Sequence, residues 1–196
     1  MKIDKNLNMI IPLERDDGSK VYVHSMPISR DVFDRNYVII AKTFAAIYGE
    51  GLGPLSGPRI CALMMRDIAQ RSAGDNEELR AFALRDVEQS LFAEIRRLTN
   101  VALPTPNGWE QLPLQHVIDH KLLDEDDIAE VENAICFFTV QWRMQKQRDR
   151  VAALEVPMRL WGGQLSASSL TEWIVSLTTS NAIAPSEMKA ALSVPS

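Results

Sequence analysis

Apolar side chains return at steps of three and four along one stretch of this chain: Ile128, Val131, Ile135, Phe138 and Trp142. At 3.6 residues per turn those positions share one face, so the stretch must be a helix whose apolar stripe is covered by other elements. Asp124, Glu125, Asp126 and Asp127 precede it and supply a cap and a negative first turn, which suits the positive end of the helix dipole. The pattern turns polar from Arg143 to Arg150. A chain of 196 residues with 46% hydrophobic content can bury a core around such a helix without a disulfide or metal staple.

The N-terminus reads differently. Leu7, Met9, Ile11 and Leu13 alternate with Asn8, Ile10 and Pro12, and Val21, Tyr22 and Val23 follow Asp16-Asp17-Gly18-Ser19. Two short apolar runs around Asp-Gly predict a β-hairpin, and Pro12, which cannot donate to a ladder, suits an edge strand. From Ser29, a plausible N-cap, the period becomes helical. Phe33, Tyr37, Ile40, Phe44 and Ile47 mark a face that Val38, Ile39, Ala45 and Ala46 widen, which predicts a central helix ending at Gly49 to Pro54. A second helix is expected from Pro58 with Ile60, Leu63, Met64 and Ile68, and a third carries Leu79, Phe82, Val87, Leu91, Ile95 and Leu98. Residues 100–113 hold three prolines and Gly108 and read as an ordered loop. His116 to Leu123 reads as a short helix.

Pro157, Gly162-Gly163 and the serines between 166 and 169 break the pattern before a last short helix with Leu170, Trp173, Ile174 and Leu177. The expected organisation is a hairpin-plus-helices domain over residues 1–155 and a helical appendage with a polar tail over 156–196. The expected fold is mainly α: an N-terminal β-hairpin packed on a bundle of about five or six helices.

The net charge of −5 argues against nucleic acid as the main partner, since phosphate contacts need clustered Lys and Arg. Cys61 and Cys136 lie in apolar helical segments and read as buried thiols. Residues 2–8 are polar and no apolar run is long enough to cross a bilayer, so the cytoplasm, without membrane contact, is the expected location.

Candidate chemistry is sparse. His116 and His120 sit four apart on one helix face with Asp119 beside them, a spacing that can hold zinc through two ring nitrogens. No third ligand is evident, and two surface histidines are the simpler account; a metal-dependent enzyme built on His116, Asp119 and His120 is the alternative. The Gly49-x-Gly51-x-Gly53 run follows a helix and lacks a Lys-Ser/Thr pair, so the phosphate-loop context fails. No Gly-x-Ser-x-Gly nucleophile turn is present. Arg143, Lys146, Arg148 and Arg150 form a basic run, interrupted by Asp149 and without alternating aromatics, which reads as a solvated helix end. A small helical regulatory protein touching nucleic acid through this run is a further alternative. Trp161 and Trp173 either dock the C-terminal part or meet a partner; with Ile174 and Leu177 they are the candidate partner-binding residues.

The order of these pieces resembles the tail assembly chaperones of long-tailed bacteriophages. The shared elements are the β element over Leu7 to Ile28 with its Asp-Gly turn, the Pro27-Ile28-Ser29 helix entry, and the closing helix from Leu170 to Leu177 before a polar tail. The resemblance implies a non-enzymatic protein of virion morphogenesis, without cofactor, acting in the host cytoplasm. It would coat the tape measure protein, recruit tail tube subunits and leave the finished particle. An acidic helical protein with exposed apolar faces could also form a homo-oligomer around such a partner.

Overall fold

The computed structural model describes residues 7–176. Its first elements are β1 (Asn8–Glu14) and β2 (Lys20–Ser25), antiparallel and in register from Met9↔Ser25 to Glu14↔Lys20. Gly18, at a φ of 76°, supplies the left-handed residue of the turn and donates its N–H to the Arg15 carbonyl at 2.8 Å. The expected hairpin is present.

A helical bundle carrying only that hairpin is not what the chain forms. β3 (Thr99–Thr105), β4 (Gly108–Pro113) and β5 (Gln164–Ser166) join it in one five-stranded antiparallel sheet, ordered β4-β3-β2-β1-β5. The fold is therefore mixed, helices packed on a sheet. The supposed loop over 100–113 is a second hairpin, and each proline sits where a ladder tolerates it. Pro106 is in the two-residue turn with Asn107, Pro104 lies past the last residue paired with β2, and Pro113 ends the outer strand β4. Pro12 obeys the same rule: β5 pairs only with Asn8 to Ile10, so β1 has a free edge at Pro12 although it lies inside the sheet.

The helices are α1 (Arg30–Gly49), α2 (Gly53–Ser72), α3 (Glu77–Val87), α4 (Ala93–Arg97), α5 (Leu114–Asp119), α6 (Glu125–Met144) and α7 (Arg150–Leu160). A π-helical turn, Glu88–Phe92, joins α3 to α4, and one more helix covers 170–176. Ser29 caps α1 by accepting from the Val32 N–H, and Asp124 caps α6 by accepting from the Asp127 N–H at 2.8 Å. α6 is the central helix, with every residue from Val131 to Trp142 buried. α1 is not. It buries Val32, Ile40, Thr43 and Ile47, and Tyr37 faces out. α2 starts at Gly53, five residues before the expected Pro58, which sits inside the helix. Gly57 lets α2 approach its neighbours closely: a Cβ there would lie 2.7 Å from the Phe137 ring and 2.8 Å from Ile47.

The two faces of the sheet differ. Met9, Ile11, Leu13, Val21, Val23 and Val101 point into the main core with α6 and α2, as the alternation predicts. Ile10, His24 and Ala102 point the other way, where Leu170 and Trp173 of the last helix lie over them; Trp173 packs edge-on against Tyr22 at 4.5 Å and Tyr22 meets Trp109 at 5.2 Å. The line expected between 155 and 156 falls inside α7, whose Leu154 and Met158 both belong to the main core.

A closed square of charges ties the helices together. Arg66 donates to Glu88 at 2.6 Å and to Glu132 at 2.7 Å, and Arg96 bridges the same two carboxylates at 3.0 and 2.6 Å. The Phe92 ring lies under both guanidiniums, 4.2 Å from that of Arg66. Burial works against charge on Arg66, and the hydrogen bonds it donates to Glu132 and Glu88 more than offset it, raising its pKa.

Candidate partner-binding surface

α1, α2 and α3 lie side by side and leave an apolar groove of about 290 Å3 along their outer face. Val38 and Ile39 of α1 form one wall, and Phe82, Ala83 and Val87 of α3 form the other. The floor is low because α2 contributes the small residues Ala69 and Ser72. Phe82 is 62% exposed and Val38 stands open across the groove, while Leu79 and Tyr37 are exposed on the same two helices outside its lining. The periodicity that placed Leu79 and Phe82 with Val87, Leu91 and Ile95 was legible; that the first two lie past the edge of the core was not. The rim is polar. Lys42 donates to Ser72 at 2.9 Å across the α1–α2 line, and Arg35 and Asp86 flank the apolar floor. A trough between parallel helices with apolar walls and charged rims is the shape that receives the apolar face of an amphipathic helix.

The residues singled out from sequence fall elsewhere. Trp161 packs edge-on against Phe137 of α6 at 6.0 Å and belongs to the rim of the main core. Trp173 is half-buried against Tyr22, and Ile174 is half-buried beside it. Leu177 lies outside the described residues. The two tryptophans dock their own segments onto the sheet and α6, and they do not converge on one surface.

His116 and His120 are exposed on α5, which buries Leu114 and Val117. Their rings stack with centroids 3.9 Å apart, the His120 Nδ1 lies 3.0 Å from the His116 carbonyl, and Asp119 accepts from Gln115 at 2.8 Å. Among the described residues no group of three His, Cys, Asp or Glu side chains is placed to hold a metal. The segment supplies two donors and a carboxylate already engaged by its own helix.

Cys61 and Cys136 are both buried, and burial pushes both thiols up, so neither offers a thiolate. Asp127 is paired with Arg15 at 3.3 Å, which accounts for part of the acidic cluster at the start of α6. The basic run divides in two. Lys146 and Arg148 are exposed, but in the turn between α6 and α7 and not at a helix end, while Arg143 and Arg150 are half-buried and line a cleft at the end of the sheet. No helix among the described residues is long and apolar enough to cross a membrane. Comparison with protein-family models, with curated proteins and with solved structures finds no match to this chain.

Proposed function

We propose that the protein is a non-enzymatic assembly chaperone of phage tails, which holds an amphipathic helical segment of the tape measure protein in the α1–α3 groove. The exposed apolar groove carries this reading: Phe82 and Val38, with Ile39 and Val87 beside them, present a face that water covers poorly and a helical partner would cover well. The order of β element, Pro-Ile-Ser helix entry and closing helix agrees with the tail chaperones that the sequence resembles. Tail tube subunits would be recruited by the complex, in the cytoplasm of the host, with no cofactor. A metal-dependent enzyme is the weaker alternative, since His116 and His120 lack a third donor among the described residues.

Affinity purification from the cells that naturally make the protein, with the co-purifying chains identified by mass spectrometry, tests the reading. Enrichment of one long, helical tape measure protein is expected with wild type and its loss with Phe82→Asp. Recovery of the wild-type chain without a tape measure protein or tube subunit would overturn it.

A further inference from the structure

Away from the groove, the face of the sheet that carries His24 ends in a cleft of about 660 Å3. His24 and Asn100, adjacent across β2 and β3, line it from the sheet, while Ser29 starts α1 at one side. Trp142 and Arg143 reach it from the end of α6, and Arg150 from the first turn of α7.

The two arginines have no compensating charge among the described residues. Neither forms an ion pair among the described residues, and the Nε of each is buried without a hydrogen-bond partner there. Asp34, the one carboxylate that favours charge on Arg143, is held by Arg30 at 2.8 Å, and Asp149 is turned to Arg148 at 3.4 Å. The Arg150 guanidinium instead lies 4.9 Å from the centre of the Trp142 ring, and as the first residue of α7 it sits at the positive end of a helix dipole. Burial, then repulsion from Arg150 and Arg30, pulls the Arg143 pKa below its ordinary value, and burial does the same to Arg150. His24 adds to the imbalance. It is 4% exposed, and neither ring nitrogen completes a hydrogen bond of good geometry among the described residues, the Ser168 backbone offering it only a loose contact.

Half-buried cations without an anion, beside unsatisfied polar nitrogens, are costly in a folded chain unless a ligand completes them. Two guanidiniums balance a dianion with several acceptor oxygens, which is the chemistry of a phosphate group; a single carboxylate would leave one positive charge over. A phosphate alone fills little of a cleft this size, which falls in the range of small-molecule sites.

We propose that this cleft binds a phosphate-bearing small molecule, with the phosphate between Arg143 and Arg150 and the organic part against His24 and Asn100.

Calorimetric titration of the full chain with inorganic phosphate, at low and constant ionic strength, tests the site. Saturable binding to one site is expected, weakened at least tenfold in Arg143→Met and in Arg150→Met. Arg143→Lys, which keeps the charge and loses the fork, should fall between wild type and Arg143→Met, and it carries the test if a methionine variant fails to fold. No saturable heat with wild type, or unchanged binding in the variants, would overturn the proposal. A short oligonucleotide that binds here and is not displaced by phosphate would overturn the small-molecule assignment.

Discussion

Two pairs of half-buried arginines in this molecule have opposite surroundings. Arg66 and Arg96 each bridge Glu88 and Glu132, so two cations and two anions close a square beneath α2, α4 and α6. Arg143 and Arg150 line one cleft, close enough to repel, with no carboxylate engaged among the described residues. Residue type and depth are similar, yet the first pair has its counter-charges built into the chain and the second leaves room for them. Arginines that are matched internally hold elements together; arginines left unmatched at a cleft are poised for an anion from outside.

Removing one corner of the square should give the largest effect. Glu132→Gln leaves Arg66 and Arg96 sharing only Glu88, and a loss of about 3 kcal/mol is expected in urea unfolding, since breaking a buried pair strands the remaining charge. A loss below about 1 kcal/mol would erase the contrast between the pairs. Gly57→Ala tests the packing of α2 against α6 and α1: its methyl would press on Phe137 and Ile47, and a loss of about 1–3 kcal/mol is expected by the same unfolding measurement.

The opposite sign is expected in the cleft. Without phosphate, Arg150→Met keeps an apolar stem on Trp142 and removes a repulsive charge, so stability should stay within about 0.5 kcal/mol of wild type or rise by about 1 kcal/mol. A large loss would place Arg150 with the structural pair. His24 sharpens the comparison through pH. Burial holds its imidazole below the ordinary value of 6.5, so the unfolded chain takes up a proton there that the folded chain does not. Its contribution to stability is full above about pH 6.5 and falls as the pH drops below it, and the fall measured by unfolding should be shallower in His24→Gln. The smallest effect on stability belongs to Phe82→Asp, within about 0.5 kcal/mol because the side chain is exposed, although capture of the helical partner should be lost.

The parts legible in the sequence are those in which local chemistry and tertiary packing agree. The Asp-Gly hairpin, the Ser29 and Asp124 caps and the buried stripe of α6 all formed as their residues predict, although α6 stops at Met144, short of the basic run. The helix-dominated reading failed where prolines masked strands. Asn107 closes the turn and Gly108 opens β4, but Pro104, Pro106 and Pro113 made the stretch read as a loop because sequence does not reveal which ladder positions are unpaired. β5 has only three residues and exists because Gly163 comes close to β1, where a Cβ would lie 2.6 Å from Ile11. The groove was half legible: Phe82 carried the right spacing, and only the packing of α1 to α3 shows that it stays open. The cleft was hidden for a different reason. Arg143 and Arg150 belong to one run with Lys146 and Arg148, and the turn between α6 and α7 folds two of the four back onto the sheet.

The central functional claim is that the α1–α3 groove holds a helical partner. Size-exclusion chromatography with light scattering, on this 22.0 kDa chain mixed with a purified tape measure protein from the same source, tests it most directly. Co-elution at a mass above that of either component, abolished by Phe82→Asp while the variant stays folded, is the predicted result. Separate elution of the two wild-type proteins, or co-elution that Phe82→Asp leaves intact, would contradict it.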